Sequence, residues 1–123
     1  MTTLAIDIGG TKIAVGLVDD DGTLVHQGRL PTPEGDAETV WAAVDALIDD
    51  ALTAAGGRVR GAGIGCGGPI DLSAGTVSPI NIVEWQRFPI ADRVAAVVDA
   101  PVRLHNDGLC MALGERWRGA GRG

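Results

Sequence analysis

The first thirty residues fall into short runs of strand character, the first two largely apolar, broken twice at turn-forming residues. Leu4–Ile8 and Ile13–Val18 read as short strands joined by a Gly9-Gly10 turn. The acidic turn Asp19-Asp20-Asp21-Gly22 leads into a third strand over Thr23–Leu30. Tight turns between consecutive strands predict an antiparallel meander, which Pro31 and Pro33 end. From Ala37 to Ala55 the period lengthens to that of a helix. Ala37, Val40, Trp41, Val44, Leu47, Ile48, Ala51 and Leu52 recur at three- and four-residue spacing, with Asp45, Asp49 and Asp50 on the other side. Gly56-Gly57 stops this helix. A strand follows at 60–66, then a glycine-rich turn and a long irregular stretch containing Pro69, Pro79 and Pro89. Ile90–Val98 reads as a helix and Val102–His105 as a strand. A last helix is expected over Asp107–Trp117, with Cys110, Leu113 and Trp117 on one stripe. Strands first paired by tight turns and then alternating with helices predict an α/β fold with a mixed sheet and crossover helices on its faces.

Composition narrows the classes. At 123 residues the chain holds one domain with a core, and with 46% apolar and 21% charged residues it reads as a soluble globular protein. No run approaches the roughly eighteen apolar residues of a membrane span. Met1-Thr2-Thr3-Leu4 lacks the basic stretch and apolar block of a secretory signal, which points to the cytoplasm. Cys66 and Cys110 lie far apart, without ligand spacing around them, so neither a disulfide framework nor a structural zinc is expected. They read as small buried hydrophobes. A net charge of −6 disfavours nucleic acid and anionic membranes, which reward clustered Lys and Arg. It leaves open a nucleotide held by backbone amides and a metal. The nineteen glycines cluster between apolar segments, as expected where a backbone turns sharply or approaches something closely.

Candidate chemistry sits at two turns. In Asp7-Ile8-Gly9-Gly10-Thr11-Lys12 a carboxylate interrupts an apolar strand, where burial without a partner is costly and a hydrated divalent cation would supply one. Gly9 and Gly10 permit positive φ, so that successive amides can face one concavity suited to phosphate oxygens, with the Thr11 hydroxyl and Lys12 ammonium beside it. An ordinary Gly-Gly hairpin with Asp7 exposed at its end fits the same residues. His105-Asn106-Asp107 stands where the last strand meets the last helix, and ligands of open α/β sheets gather at the carboxyl ends of strands. An ionised Asp107 can take a hydroxyl proton as the oxygen attacks phosphorus, and Asn106 can both donate to and accept from vicinal sugar hydroxyls. The pair equally suits a plain helix N-cap. Asn81 and Trp85 lie in Ser78-Pro79-Ile80-Asn81-Ile82-Val83-Glu84-Trp85, either a loop over a sugar or a surface loop anchored by one tryptophan. Trp41 and Trp117 are read as core. Gly63-Ile64-Gly65-Cys66-Gly67-Gly68 matches a dinucleotide fingerprint by letter, but its glycines begin inside the strand and no helical pattern follows, so NAD is rejected.

In order and spacing these segments resemble the ROK (glucokinase-like) family over essentially the whole chain. The resemblance runs from Asp7-Ile8-Gly9-Gly10-Thr11-Lys12 through Gly65-Cys66-Gly67-Gly68-Pro69 and Ser78-Pro79-Ile80-Asn81 with Trp85 to Asn106-Asp107 and Ala112-Leu113-Gly114-Glu115. Within the family the pattern looks most like the bacterial glucokinases. The resemblance implies an actin-like (ribonuclease H-like) lobe and an ATP- and Mg²⁺-dependent sugar kinase. Asp7 would help hold Mg²⁺, and Gly9, Gly10, Thr11 and Lys12 would meet the ATP phosphates. Gly68, Asn81, Asn106 and Asp107 would bind the sugar, glucose being favoured, with Asp107 the base that deprotonates its 6-hydroxyl. It also implies that 1–123 is one amino-terminal lobe, inactive without a second lobe that would bring another phosphate loop, a Glu-x-Gly-His motif and a zinc site. Partners would be a small sugar and ATP, not nucleic acid or membrane, with a homo-oligomer for the full-length protein. The sequence departs from the family where Gly108 and Leu109 follow Asp107 and where Val83-Glu84 replaces Pro-Gly in the loop. A sugar-sensing lobe of a ROK-type transcriptional regulator and a non-catalytic fragment are the alternatives.

Overall fold

Leu4, Ile6 and Ile8 are buried while Thr3, Ala5 and Asp7 between them are only half-buried, so the first strand turns one face to a core and the other toward an open side. The structure, a computed structural model, describes residues 1–66, 69–79, 82 and 85–106. In chain order its elements are β1 (Thr3–Ile8), β2 (Lys12–Val18), β3 (Leu24–Pro31), α1 (Ala37–Ala54), β4 (Gly61–Cys66), β5 (Ile70–Asp71), β6 (Thr76–Val77), α2 (Ile90–Val98) and β7 (Val102–Asn106). The main sheet has the order β3-β2-β1-β4-β7. The meander β1-β2-β3 is antiparallel, and β1, β4 and β7 are parallel.

Register carries the apolar face across the sheet. Ile6 lies opposite Val15 on one side and Ile64 on the other, and Ile64 lies beside Leu104. This face forms one core with Val40, Trp41, Val44, Leu47 and Ile48 of α1 and Ile90, Val94 and Val98 of α2. Helix α1 packs on β2 and β3, and α2 on β4 and β7. The opposite face carries small residues: Ala5, Ala14, Gly16, Gly63 and Gly65. The fold is α/β, the actin-like lobe with its mixed sheet and antiparallel meander. No helix among the described residues is long and apolar enough to cross a membrane.

Element boundaries follow local chemistry. The Asp36 carboxylate accepts the Thr39 N–H at 2.9 Å and caps α1, while Gly56 and Gly57 leave it at φ 78° and 90°. The strand predicted over Val102–His105 extends to Asn106. The stretch expected to be irregular contains a two-strand hairpin, β5-β6, whose turn uses Gly75 at φ 70°. Strands of two residues are too short to show a period. The predicted helix over Asp107–Trp117, with its stripe of Cys110, Leu113 and Trp117, lies outside the described residues.

Candidate functional site

Three parallel strands end in one line. Ile8 at the end of β1 pairs in register with Cys66 at the end of β4, and Cys66 pairs with Asn106 at the end of β7. The chain therefore leaves all three strands at the same edge of the sheet, β1 and β7 being two strand spacings apart, roughly 10 Å. Gly9-Gly10 follows the first end directly and Asp107 follows the third. The carboxyl edge of the parallel strands is where an open α/β sheet leaves room for a ligand.

The turn after β1 is wired through its backbone. Gly9 N–H donates to the Lys12 carbonyl at 3.0 Å, and the Thr11 carbonyl accepts the Thr32 N–H at 2.9 Å. The Thr32 hydroxyl donates to the Gly9 carbonyl at 2.6 Å. Gly9 and Gly10 are not among the residues with positive φ, contrary to the expectation from sequence. Space is what requires glycine at position 9, since a Cβ there would stand 3.1 Å from the Lys12 carbonyl oxygen. The Gly9 amide is thus engaged within the turn. Among the described residues the Gly10 and Thr11 amides carry no hydrogen bond, and Gly10, Thr11 and Lys12 are exposed.

Asp7 is half-buried, between the buried and the exposed carboxylate that the sequence left open. Strand alternation explains it: Asp7 belongs to the small-residue face, with Ala14 and Gly65 as its neighbours in register. A shallow hollow of about 150 Å³ opens there, lined by Ala5, Asp7, Ala14, Gly16, Leu24 and Gln27. A half-buried carboxylate next to an exposed glycine turn is of the type that fits Mg²⁺, which keeps several waters and takes one or two carboxylates together with substrate phosphates.

The described residues of the 78–88 segment are fastened to the helices. Trp85 is fully buried, its indole N–H donates to the Ala37 carbonyl at 3.1 Å, and its ring stacks on Phe88 at 4.1 Å and 3°. The Arg93 guanidinium lies over Phe88 at 5.1 Å and Trp41 at 5.7 Å. It also donates two hydrogen bonds to Glu38, at 2.8 and 2.6 Å. Those bonds hold the Glu38 carboxyl below its usual range and raise the Arg93 guanidinium above its own. Arg87 takes φ 52° with its N–H donated to the Ser78 hydroxyl. Gly63 and Gly65 lie inside β4, as read from the sequence, and the next elements are β5 and β6, not a helix. Of the predicted sugar-side residues, Asn106 is placed by the backbone of β7, whereas Gly68, Asn81 and Asp107 lie outside the described residues.

The profile of the ROK family matches residues 3–123. The chain belongs to the ROK family. It is 36% identical over 121 residues to a glucokinase of Streptomyces coelicolor, covering 98% of this chain and 37% of that protein. It is 38% identical over 112 residues to an N-acetyl-D-glucosamine kinase of Salmonella typhimurium, covering 90% of this chain and 36% of the relative. Among solved structures, a ROK family glucokinase from Streptomyces griseus, in complex with glucose and AMPPNP, superposes with a TM-score of 0.81 at 36% identity, covering 100% of this chain and 38% of that one. The chain thus spans little more than a third of the length of these relatives. Beyond the motif residues, this ROK chain uses Thr32, Phe88 and Arg93 to hold the turn and the 78–88 segment. None carried a sequence signal, because each acts through partners distant in the chain.

Proposed function

We propose that the chain is the amino-terminal lobe of an ATP-dependent hexose kinase, with glucose the favoured sugar and its 6-hydroxyl the acceptor. The supporting observation is the shared edge of β1, β4 and β7, where Ile8, Cys66 and Asn106 stand in register. A sugar bound by residues after β4 and β7 and a nucleotide bound at the turn after β1 would meet there. In this reading the exposed Gly10 and Thr11 amides and the Lys12 ammonium receive phosphate oxygens, while Gly9 shapes the turn. Asp7 holds the Mg²⁺, which when bound neutralises charge on the transferring phosphoryl group. Gly68, Asn81 and Asn106 position the sugar. The Asp107 carboxylate accepts the proton of the 6-hydroxyl as that oxygen attacks the γ-phosphorus.

The relatives' greater length supports a two-lobe enzyme of which this chain is one lobe. The second lobe would close the cleft against water and complete the sugar site. A zinc site, if this chain's full protein follows the family, belongs to that second lobe. The same reading makes the full-length enzyme cytoplasmic and homo-oligomeric, with small molecules and not nucleic acid or membrane as partners.

A coupled ADP-release assay tests the proposal. Residues 1–123 alone are expected to show no glucose phosphorylation above background, and adding a separately expressed second lobe is expected to restore it. Turnover by 1–123 alone would overturn the two-lobe reading. In the reconstituted enzyme, Asp107→Asn is expected to lower kcat by about 10²–10⁴-fold, the usual contribution of a positioned base. An unchanged kcat removes Asp107 from that role.

A further inference from the structure

We infer that Thr32, which lies outside the glycine-turn motif, is a positioning residue that aims the turn's amides at the ligand. The inference rests on the proposal that this turn holds phosphate. Thr32 sits just past the end of β3, and its side chain crosses to the start of the turn, 23 residues earlier in the chain. It grips two carbonyls there. Its hydroxyl donates to Gly9 and its N–H to Thr11, at 2.6 and 2.9 Å.

The peptide plane converts that grip into orientation. In a trans peptide the N–H points opposite to the C=O of the same unit. The Gly9 carbonyl shares its plane with the Gly10 N–H, and the Thr11 carbonyl shares its plane with the Lys12 N–H. Drawing the Gly9 carbonyl toward Thr32 therefore turns the Gly10 amide to the opposite side, while the hold on the Thr11 carbonyl fixes the far end of the turn. The turn needs such a brace. Two-residue hairpin loops are usually held by turns with positive φ, whose twist matches the strands, and neither Gly10 nor Thr11, the two residues between the paired Gly9 and Lys12, adopts one. The Gly9 N–H bond to Lys12 closes the loop from within, and Thr32 closes it from the neighbouring strand.

The test compares the wild-type 123-residue chain with Thr32→Val, which keeps shape and loses the hydroxyl, and Thr32→Ser, which keeps the hydroxyl. Amide hydrogen exchange followed by NMR is expected to speed up about fivefold at Gly9 in the Val variant, as for loss of one ordinary hydrogen bond. Exchange at Ile6 should stay unchanged and the Ser variant should behave as wild type. Equal exchange at Gly9 in all three chains, or a rise spread over the whole sheet, overturns the inference. Should the Val variant not fold, the wild-type chain decides: a Thr32 hydroxyl proton protected from solvent exchange supports the brace, and a freely exchanging one overturns it. Titration with Mg²⁺-ATP then separates the inference from the reading beneath it. Shifts at the Gly10 and Thr11 amides are expected in wild type, with about fivefold weaker binding in the Val variant and recovery in the Ser variant. A Val variant that binds as wild type overturns the aiming role. If Mg²⁺-ATP leaves the wild-type turn unmoved while the exchange contrast at Gly9 persists, the phosphate reading of the turn fails and the brace itself stands.

Discussion

The turn at Gly9–Lys12 and the described residues of the 78–88 segment are held by different physics. Backbone hydrogen bonds and one threonine hold the turn, and its Gly10, Thr11 and Lys12 lie exposed. Side-chain burial holds the segment: Trp85 stacked on Phe88, Arg93 over both Phe88 and Trp41, and Glu38 pairing Arg93 from the first turn of α1. Paired N–H and C=O contacts between Val77 and Phe88, at 3.0 and 2.8 Å, finish its closure. A phosphate-binding turn needs its amides aimed, and hydrogen bonds are directional. The described residues of the segment need only to be anchored, and apolar packing, which is non-directional, suffices.

If the turn and the segment are independent, each can be damaged without the other. The largest effect is expected from Trp85→Ala, which empties a fully buried stacked site and should cost about 3–5 kcal/mol in denaturant unfolding. In that variant the amide exchange of Gly9 relative to Ile6 should not change. A selective opening of the turn would show that the two are one unit. Gly9→Ala is the converse, placing a Cβ 3.1 Å from the Lys12 carbonyl oxygen, and should cost about 1–3 kcal/mol. The indole N–H resonance of Trp85, bonded to the Ala37 carbonyl, reports on the segment and is expected to stay in place.

The smallest effect is electrostatic and sharpens the contrast. The Thr39 N–H holds the Asp36 carboxyl low, and the Arg93 guanidinium does the same for Glu38. Because folding depresses both, their stabilisation is present above the usual carboxylate value of about 4 and is lost as pH falls through their folded values. Melting temperature should therefore decline in acid. Asp36→Asn with Glu38→Gln, which preserves a good N-cap residue, should flatten part of that decline. Asp21 and Asp71 are also held low by local hydrogen bonds and act in the same direction. An unchanged acid slope in the double variant would remove these two groups as the acid-sensitive tie.

Much of the site's frame was legible in the chain. The Gly9-Gly10 turn, the strand around Ile64 and the approach to Asn106 could be placed from residue patterns, because a two-residue or 3.6-residue period is a property of neighbours. The depth of Asp7 was left open by the same pattern. Alternation told which residues share its face, but only the sheet order revealed that its neighbours there are Ala14 and Gly65, which leave the carboxylate half open.

Sequence alone therefore determined the meander, the helix after it with its Gly56-Gly57 stop, the succession of β4, α2 and β7, and the apolar stripe of α1, but not the β5-β6 hairpin. Tertiary structure alone decided that Ile8, Cys66 and Asn106 end in one line, that Thr32 braces Gly9, and that Trp85 stacks on Phe88, over which Arg93 also lies. The physical reason is range. Periodicity, capping and turn chemistry act over a few residues, whereas a register between parallel strands or a hydroxyl reaching across 23 positions exists only once the chain has folded back on itself.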